Sequence, residues 1–404
     1  MYRIREDEFR EKYMMLIPAM LDAHFPLLKY AFFSKKYHPV ILENEENITD
    51  IGLKYVNNDM CYPAILNIGQ LIGALQSGKY DLDRTVLLMP QAGDACRGSN
   101  YTSVLRRAVK NAGFPQVKVL SLNVKGLEKD QQVSITAGMV WRALFAVFYG
   151  DMLMILSNQV RPYESHPGDT DDCRKRWHAR LAEELKSGRH LTFSWMKRNM
   201  NSMAEEFAAI AREKKDVQKI GIVGELYVKY CHIGNWNLRR LLREEHCEYY
   251  INGLTWYMLY YIDTHLTSEG RLMGMLYRVA GYVLEKLQKR MVETIKAHGF
   301  YSMEPFTPFK KRAEGIVNYG CQVGDGWLIG AEAVSHIENG YTKVIAVQPF
   351  GCMPNHVCGR GLYPALQRRY PWAQIAGIDF DSSGSPLNVR NRVQLLIDYG
   401  KRKK

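Results

Sequence analysis

The sequence predicts an α/β protein with two flavodoxin-like or Rossmann-like parallel-sheet domains and a helical region that connects them. Short apolar runs alternate with segments of helical spacing toward both ends of the chain, which is typical of parallel sheets. From about residue 126 to residue 215 the strand signals disappear and longer helical periods replace them. We therefore place an N-terminal α/β domain at residues 1–125, a helical connector at 126–215 and a C-terminal α/β domain at 216–404.

The elements of the N-terminal domain follow from its apolar runs and its helix signals. We predict strands at residues 14–19, 39–42, 85–90 and 117–123, and helices at 25–33, 51–56, 64–76 and 101–111. Cys61, Tyr62 and Pro63 open the third helix, because proline is favoured in the first helical turn. A cysteine there lies at the positive end of the helix dipole, which favours a thiolate over a thiol.

The helical connector contains the most apolar segment of the chain. We predict helices at residues 134–156, 171–187 and 193–214. Arg142 and Asp151 interrupt the first of them and leave an apolar run too short to cross a bilayer. We therefore expect a buried helix and no membrane partner.

The C-terminal domain returns to alternating strands and helices. We predict strands at residues 219–226, 248–252, 344–347 and 375–380, and helices at 236–243, 271–297, 327–338, 362–370 and 387–399.

Each α/β domain has a strand that leads into a cysteine-bearing loop and then a helix. The two stretches read TVLLMPQAGDACRG, with Cys96, and VIAVQPFGCMPNHVCGRG, with Cys352. In an open parallel sheet, loops at the carboxyl ends of strands form the crevice where ligands bind. The match is loose, because Cys96 lies six residues after Pro90 and Cys352 three residues after Pro349. It suggests that the two halves are related.

The composition and charge of the chain limit the ligands, partners and cellular compartment that we expect. The formal net charge is +12, part of it in the terminal KRKK, and there are eight cysteines. A basic balance suits a phosphate-bearing ligand or an acidic partner, and no zinc finger or RNA-recognition signature indicates nucleic acid. The charged start, MYRIREDEFREKY, carries no signal peptide. We therefore expect a cytoplasmic protein with reduced thiols, where metal binding is a better interpretation of the cysteines than disulfides.

Cys61, Cys96 and Cys352 share a setting, since each lies at a loop where a helix begins. Three buried structural cysteines are the alternative, because free cysteine is among the most buried residue types. Thiolates select iron–sulfur clusters, zinc or copper(I), and the absence of any Cys-x-x-Cys pair disfavours a zinc ribbon. Three ligands that are distant in sequence fit a cluster held at the interface of two domains. On a four-iron cluster they would leave one iron open for a substrate oxygen.

The remaining cysteines divide into two groups. Cys321 and Cys358 lie in glycine-rich loops and Cys231 in a polar loop after a strand, so all three are candidate additional ligands. Cys173 and Cys247 are interpreted as structural.

Two further residues are candidates for catalysis. Glu225 ends a strand, where it could act as a general base or contact substrate, or else cap a helix or pair with Lys229. His356 could shuttle a proton or hydrogen-bond a cluster sulfur, or else order its loop. The sequence contains neither a P-loop nor the dinucleotide-binding glycine spacing, so it supports no ATP or NAD binding by this chain.

Five stretches give the chain a resemblance to a known family. They are KYMMLIPAMLDAHFPLLKYAF, NNDMCYPAI, MPQAGDACRGSNY, VGELYVKYCHIGNWNL and QPFGCMPNHVCGRG. Together they resemble the iron–sulfur component of the 2-hydroxyacyl-CoA dehydratases, of the 2-hydroxyglutaryl-CoA dehydratase type. The branch it is most similar to is related to a domain that is fused to ATP-dependent activators. The resemblance covers nearly the whole chain.

The resemblance implies a cofactor, a partner and a reaction. Cys61, Cys96 and Cys352 match the positions that hold a [4Fe-4S] cluster. A separate ATP-hydrolysing iron–sulfur activator would inject one low-potential electron, and an anaerobic radical lyase reaction would remove water from a 2-hydroxyacyl-CoA thioester. We expect a homodimer or a heterodimer. Two alternatives remain: a reductase of small molecules with a double-cubane [8Fe-9S] cluster, and a non-catalytic iron–sulfur carrier or electron relay.

Overall fold

The computed structural model describes residues 13–33, 37–91, 96–123, 136–266 and 271–399. It contains two four-stranded sheets in which every strand pair is parallel, so the predicted α/β fold class is confirmed. The strands of the first sheet are β1 (Tyr13–Ile17), β2 (Tyr37–Ile41), β3 (Thr85–Gln91) and β4 (Lys118–Asn123). Those of the second are β5 (Lys219–Gly224), β6 (Glu248–Ile251), β7 (Lys343–Pro349) and β8 (Gln374–Phe380).

Helices cover the sheets and fill the space between them. In the first half these are α1 (Phe25–Phe32), α2 (Ile48–Tyr55), α3 (Tyr62–Gln76) and α4 (Tyr101–Asn111). Three more follow as α5 (Ala137–Val160), α6 (Asp169–Ser187) and α7 (Phe193–Ala209). The second half contains α8 (Leu226–Tyr230), α9 (Leu238–Glu244), α10 (Leu254–His265), α11 (Arg271–Ala297), α12 (Phe306–Lys310), α13 (Leu328–Glu338), α14 (Met353–Cys358), α15 (Tyr363–Arg369) and α16 (Pro386–Asp398).

The two sheets have the same strand order. The first runs β2-β1-β3-β4 and the second β6-β5-β7-β8, so each places its first strand between its second and its third. This is the order of a flavodoxin-like sheet without a fifth strand. The direction of winding reverses between β1 and β3, and again between β5 and β7. In open α/β sheets the crevice at such a switch point is where ligands bind.

The connecting helices pack against both halves of the chain. One large apolar cluster includes Phe148 of α5, Trp177 of α6, Trp256 of α10 and Trp327 beside α13. A second cluster joins Tyr62 and other first-half residues to strands β5, β6, β7 and β8. The domain limits at residues 125 and 215 stay predictions, but the second half clearly shares its packing with the connector and the first half.

Helix α5 contains the most apolar segment of the sequence, which we predicted to be a buried helix. Together with the following turn, Ala137–Tyr163, it is the only helix among the described residues long and apolar enough to cross a membrane, and 67% of its most apolar window is buried inside the protein. Asp151 lies in the middle of it, fully buried. Its carboxylate accepts hydrogen bonds from the backbone N–H groups of Leu254 and Thr255, at 2.6 and 3.0 Å, and contacts His24 Nε2 at 2.7 Å. The helix therefore anchors other elements of a folded core.

The structure corrects several local predictions. The stretch after Cys352, predicted as a loop, is the short helix α14, and α8 and α10 were not predicted. The predicted helix at 193–214 ends at Ala209, and the strand at 219–226 ends at Gly224. Residues 1–12, 92–95, 134–135 and 400–404, on which parts of the sequence predictions rest, lie outside the described residues.

Candidate metal centre

Two of the three predicted ligands occupy equivalent places at the carboxyl ends of strands, whereas Cys61 lies between helices α2 and α3. Cys96 follows β3 of the first sheet, and Cys352 follows β7, its counterpart in the second. Glu225 follows β5, and its backbone N–H donates to the carbonyl of Val347 in β7 at 3.0 Å. The switch point of the second sheet therefore carries both Glu225 and Cys352.

Cys61 and Cys96 are brought together by Tyr101. Cys61 is the N-cap residue of α3, and its Sγ lies 2.8 Å from the hydroxyl of Tyr101, the first residue of α4. Cys96 caps the 3₁₀ turn immediately before α4, and its Sγ accepts a hydrogen bond from the Gly98 N–H at 3.2 Å. Burial, then the charges of Cys61, Glu225 and Cys96, raise the pKa of the Tyr101 hydroxyl.

Cys352 approaches the same region from the other half. It is the N-cap residue of α14, and the side-chain amide of Asn355 lies 3.5 Å from its Sγ. Burial first, then the charges of Glu225 and Asp325, raise the pKa of the Cys352 thiol to about 12. Because Glu225 acts on both Cys61 and Cys352, it lies within electrostatic range of cysteines from both halves.

The position of Cys61 at the start of α3 is not enough to lower the pKa of its thiol overall. Burial raises the pKa of the Cys61 thiol more than its hydrogen bonds to Tyr101 and the Ala64 backbone lower it. A metal would therefore have to displace the protons from these thiols, and its binding would release them.

The eight cysteines form two groups that differ in solvent exposure. Four are partly exposed, namely Cys61, Cys96, Cys321 and Cys352, and four are buried, namely Cys173, Cys231, Cys247 and Cys358. All three predicted ligands belong to the partly exposed group. Thiols that can receive a cofactor from solution need such access, so the donor set fits a soft metal group.

The spacing of the three cysteines argues against a single ion. Among the described residues, only Asp22, Cys231 and His232 bring three potential metal-ligating atoms of His, Cys, Asp or Glu side chains within 4.8 Å of one another. Four sulfurs around one zinc ion would lie about 4 Å apart, given a Zn–S bond of about 2.3 Å. The three cysteines therefore do not form a compact single-ion site in this structure.

The Asp22 group has no free ring nitrogen for a metal. His232 Nδ1 lies 2.9 Å from Asp22 and Nε2 lies 2.8 Å from Glu45. The Cys231 thiol is buried and donates to the carbonyl of Ala19 at 3.4 Å. These contacts connect the two halves of the chain and give Cys231 a structural role.

Cys321 and Cys358 pair with each other. Burial, then the Cys321 thiol, raise the pKa of Cys358 to about 11. Cys358 is the last residue of α14, and the loop after Cys321 approaches that helix at Gly324, where an added Cβ would lie 2.9 Å from Pro354. The part of this pair in metal binding stays a prediction.

Glu225 has a structural contact at the centre. Its side chain accepts a hydrogen bond from the Val228 N–H at 2.9 Å, which caps α8. The alternative partner, Lys229, instead binds the buried Glu332 carboxylate at 2.8 and 3.0 Å. Burial raises the pKa of the Glu225 carboxyl by more than the backbone hydrogen bonds from Val228 and Tyr227 lower it.

His356 contacts its own helix. Its Nδ1 lies 2.9 Å from the carbonyl oxygen of Cys352, and its Nε2 lies 3.9 Å from an oxygen of Asp379. Both contacts serve to order the turn that carries Cys352. A catalytic role for His356 stays a prediction.

Sequence reasoning missed two residues of the centre. Tyr101 joins the two first-half cysteines, and the buried Asp325 lies close enough to Cys352 to influence its pKa. Burial and the nearby Glu225 carboxylate raise the pKa of Asp325. The only sequence signal for Tyr101 was its position five residues after Cys96 in MPQAGDACRGSNY.

No model of a known protein family matches this chain, and no curated protein matches it either.

Proposed function

We propose that the chain is a cytoplasmic iron–sulfur protein whose [4Fe-4S] cluster is held by Cys61, Cys96 and Cys352. One observation carries the proposal: Glu225 lies within electrostatic range of the partly exposed Cys61 and Cys352, and Tyr101 lies within electrostatic range of Cys61 and Cys96. Crevices at the switch points of open α/β sheets bind ligands, and thiolates select soft metals.

The reaction we propose is the redox-neutral dehydration of a 2-hydroxyacyl-CoA thioester to an enoyl-CoA thioester and water, in which one low-potential electron would be supplied at the start and returned at the end. The cluster would supply one-electron chemistry and a Lewis-acidic iron. Glu225 would exchange a proton through its carboxyl. Its raised pKa, caused by burial, supports a carboxyl that can hold a proton at neutral pH.

A separate ATP-hydrolysing iron–sulfur activator is the proposed electron donor. Apolar side chains flank Cys352 at the surface, since Phe350, Met353 and Val357 are 65%, 53% and 59% exposed. An exposed apolar patch beside the proposed redox group suits a transient partner, because electron transfer requires close approach. The exposed apolar side chains on α11, such as Met275 and Tyr282, support contact with a second subunit in a homodimer or a heterodimer.

A double-cubane reductase is the second candidate. It would need more sulfur ligands than three, and Cys321 lies close to Cys358, the last residue of the helix that Cys352 caps. The buried position of Cys358 weighs against it.

The test is the iron and acid-labile sulfide content, with an EPR spectrum, of anaerobically purified protein. We expect about four irons per chain, as in one [4Fe-4S] cluster, and loss of the cluster in Cys61→Ser, Cys96→Ser and Cys352→Ser. The control is Cys247→Ser, which removes a buried cysteine outside the centre and should keep the iron.

The other possible iron contents and the turnover assay distinguish the proposed dehydratase from the double-cubane reductase and the iron–sulfur carrier. About eight irons per chain would favour the double-cubane reductase, and loss of iron in Cys321→Ser would support it further. No iron after anaerobic reconstitution would overturn the proposal. If the cluster is present, activator-dependent turnover of CoA thioesters supports an enzyme, whereas cluster transfer to an acceptor without turnover supports a carrier.

A further inference from the structure

A cavity of about 850 Å³ lies away from the candidate metal centre. The loops that follow β1 and β2 form one wall, and α5, α6 and α9 form the other. None of the three predicted cysteine ligands lines it. Its volume is in the range of pockets that hold cofactors and other small molecules, and it lies at the carboxyl edge of the first sheet.

Three arginines gather at one end of this cavity around a single carboxylate. Arg161 Nη2 lies 2.6 Å from Asp171, and Arg174 Nε lies 3.6 Å from the same oxygen. The charge of Arg243 also acts on both Asp171 and Arg174. One negative charge therefore faces three positive charges, and about two positive charges remain without a partner carboxylate among these four side chains.

Repulsion between these arginines affects the pKa of Arg174. Burial, then repulsion from Arg161 and Arg243, lower the pKa of the Arg174 guanidinium. The Arg174 side chain is 46% exposed, so solvent screens part of this repulsion, and a bound anion would offset the remainder. Lys29 also lines the cavity, which adds to the positive potential.

Buried hydrogen-bonding atoms without a partner line the same end. The side-chain amide nitrogen of Asn158, a residue that is 5% exposed, has no acceptor. The Nε of Arg161 has none, and Nε2 of His178 is also without a partner. A buried donor that makes no hydrogen bond destabilises the protein, so the Asn158 and Arg161 donors favour a ligand with several acceptor oxygens.

The acidic residues of the cavity lie on the opposite wall. Asp22 is bound by Arg239 and by His232, and Glu45 is bound by His232. Glu43 also lines this wall. The cavity is therefore polarised, with its free positive charge at the end formed by α5, α6 and α9.

We propose that this cavity is a binding site for a small molecule that carries a phosphomonoester, held by Arg161, Arg174, Arg243 and Asn158. A phosphomonoester carries between one and two negative charges at neutral pH and offers three acceptor oxygens, which matches the unbalanced charge and the unpaired donors. Guanidinium groups bind phosphate in a bidentate manner. The cavity is larger than a phosphate group, so it accommodates the remainder of a nucleotide-sized molecule. The site does not depend on the iron–sulfur proposal.

The test is calorimetric titration of the purified chain with four probes: coenzyme A, adenosine 3′,5′-bisphosphate, ADP and inorganic phosphate. We expect at least one to bind with Kd below 1 mM, and Arg174→Gln and Arg243→Gln each to weaken that binding tenfold or more. Arg240→Gln is the matched control, because Arg240 lies on α9 between Arg239 and Arg243, is exposed, and does not line the cavity. Its affinity should stay within twofold of the unmodified chain.

The probes also distinguish the origin of the phosphate. Binding of coenzyme A and the bisphosphate, but not of ADP, assigns the site to a 3′-phosphate. Equal binding of all three nucleotides assigns it to a general nucleotide phosphate, and competition by inorganic phosphate at the same concentration assigns it to the free anion. If no probe binds below 1 mM, or if Arg240→Gln weakens binding as much as Arg243→Gln, the proposal is overturned. Circular dichroism of each variant establishes that it is folded.

Discussion

At the scale of single residues, the Lys229–Glu332 ion pair is almost completely buried in the second half. The two side chains are 2% and 1% exposed, and the Lys229 ammonium lies 2.8 Å from the Glu332 carboxylate. Asn252 donates a further hydrogen bond to that carboxylate at 3.1 Å. Two charges so far from water are tolerated only as a pair with additional hydrogen bonds. The sequence did not reveal this pair, because its members lie 103 positions apart and Glu225 was the nearer candidate partner of Lys229.

Breaking one side of this pair should destabilise the protein more than removing both. In Lys229→Met the Glu332 carboxylate stays buried with only Asn252 as partner, so we expect the free energy of unfolding to fall by about 3–5 kcal/mol. In Lys229→Met combined with Glu332→Leu the buried carboxylate is removed together with its partner, so the loss should be smaller than in the single variant. Guanidinium-induced unfolding at pH 7 measures both.

An exposed pair provides the control for this prediction. Lys175 and Asp172 are 73% and 67% exposed and lie 3.2 Å apart. Lys175→Met should change the free energy of unfolding by less than about 1 kcal/mol. A double variant as unstable as Lys229→Met alone would contradict the argument from the buried charge.

At the scale of elements, the sequence predicted those whose limits carry a local signal. Helices α4 and α11 begin and end at the predicted residues. Each has a regular spacing of polar and apolar residues from its first residue to its last. Helix α10 was missed because its residues LTWYMLYYIDTH are apolar on most sides, so no period identifies it. Helix α14 was predicted as a loop because of Pro354, although proline in the first turn of a helix needs no N–H donor.

The element that positions Cys61 depends on two glycines. Helices α2 and α3 approach so closely that a Cβ on Gly69 would lie 1.8 Å from the carbonyl oxygen of Ile48. Reciprocally, a Cβ on Gly52 would lie 2.2 Å from the carbonyl oxygen of Ile65. Because these contacts are with backbone atoms, no side-chain rotation can relieve them. The crossing therefore fixes α3, at whose N-terminus Cys61 lies.

Gly69→Ala should disturb both stability and the candidate metal centre. The added methyl group must push α3 away from α2, so we expect the free energy of unfolding to fall by about 1–3 kcal/mol or more and the iron content to fall with it. Gly73→Ala is the control on the same helix, because its Cβ would meet only side-chain atoms, at 3.2 and 3.3 Å. Alanine also has the better helix propensity, by about 1 kcal/mol. Thermal unfolding and iron analysis should show a loss for Gly69→Ala only, and equal behaviour of the two would count against the crossing as the cause.

At the scale of the whole molecule, the sequence predicted two related α/β halves but not how side chains from distant segments meet. Strand–loop–helix patterns are local, so they located Cys96 and Cys352 at the ends of strands. The approach of Glu225 to cysteines of both halves depends on how the two sheets pack, which no local pattern contains. For the same reason the arginine cavity was missed, because Arg161 and Arg243 come from segments more than eighty residues apart. The net charge of +12 was the only hint of it.

The shared packing of the halves has a consequence for unfolding. Tyr62 and Leu66 of α3 lie in one apolar cluster with Ile222, Ile345 and other residues of the second sheet. All seven tryptophans of the chain lie beyond residue 140. Tryptophan fluorescence therefore reports the connector and the second half, whereas far-UV circular dichroism reports the whole chain.

Leu105→Ala tests whether the halves unfold as one unit. Leu105 is fully buried in an apolar cluster made only of first-half residues, so its truncation should cost about 2–5 kcal/mol at a site without tryptophan. If the shared cluster couples the halves, the variant should lower the denaturant midpoint by fluorescence as much as by circular dichroism, and the two curves should coincide. A lower midpoint by circular dichroism alone would show that the first half unfolds separately. The candidate metal centre would then join two independently stable parts, and its cysteines would separate when the first half opens.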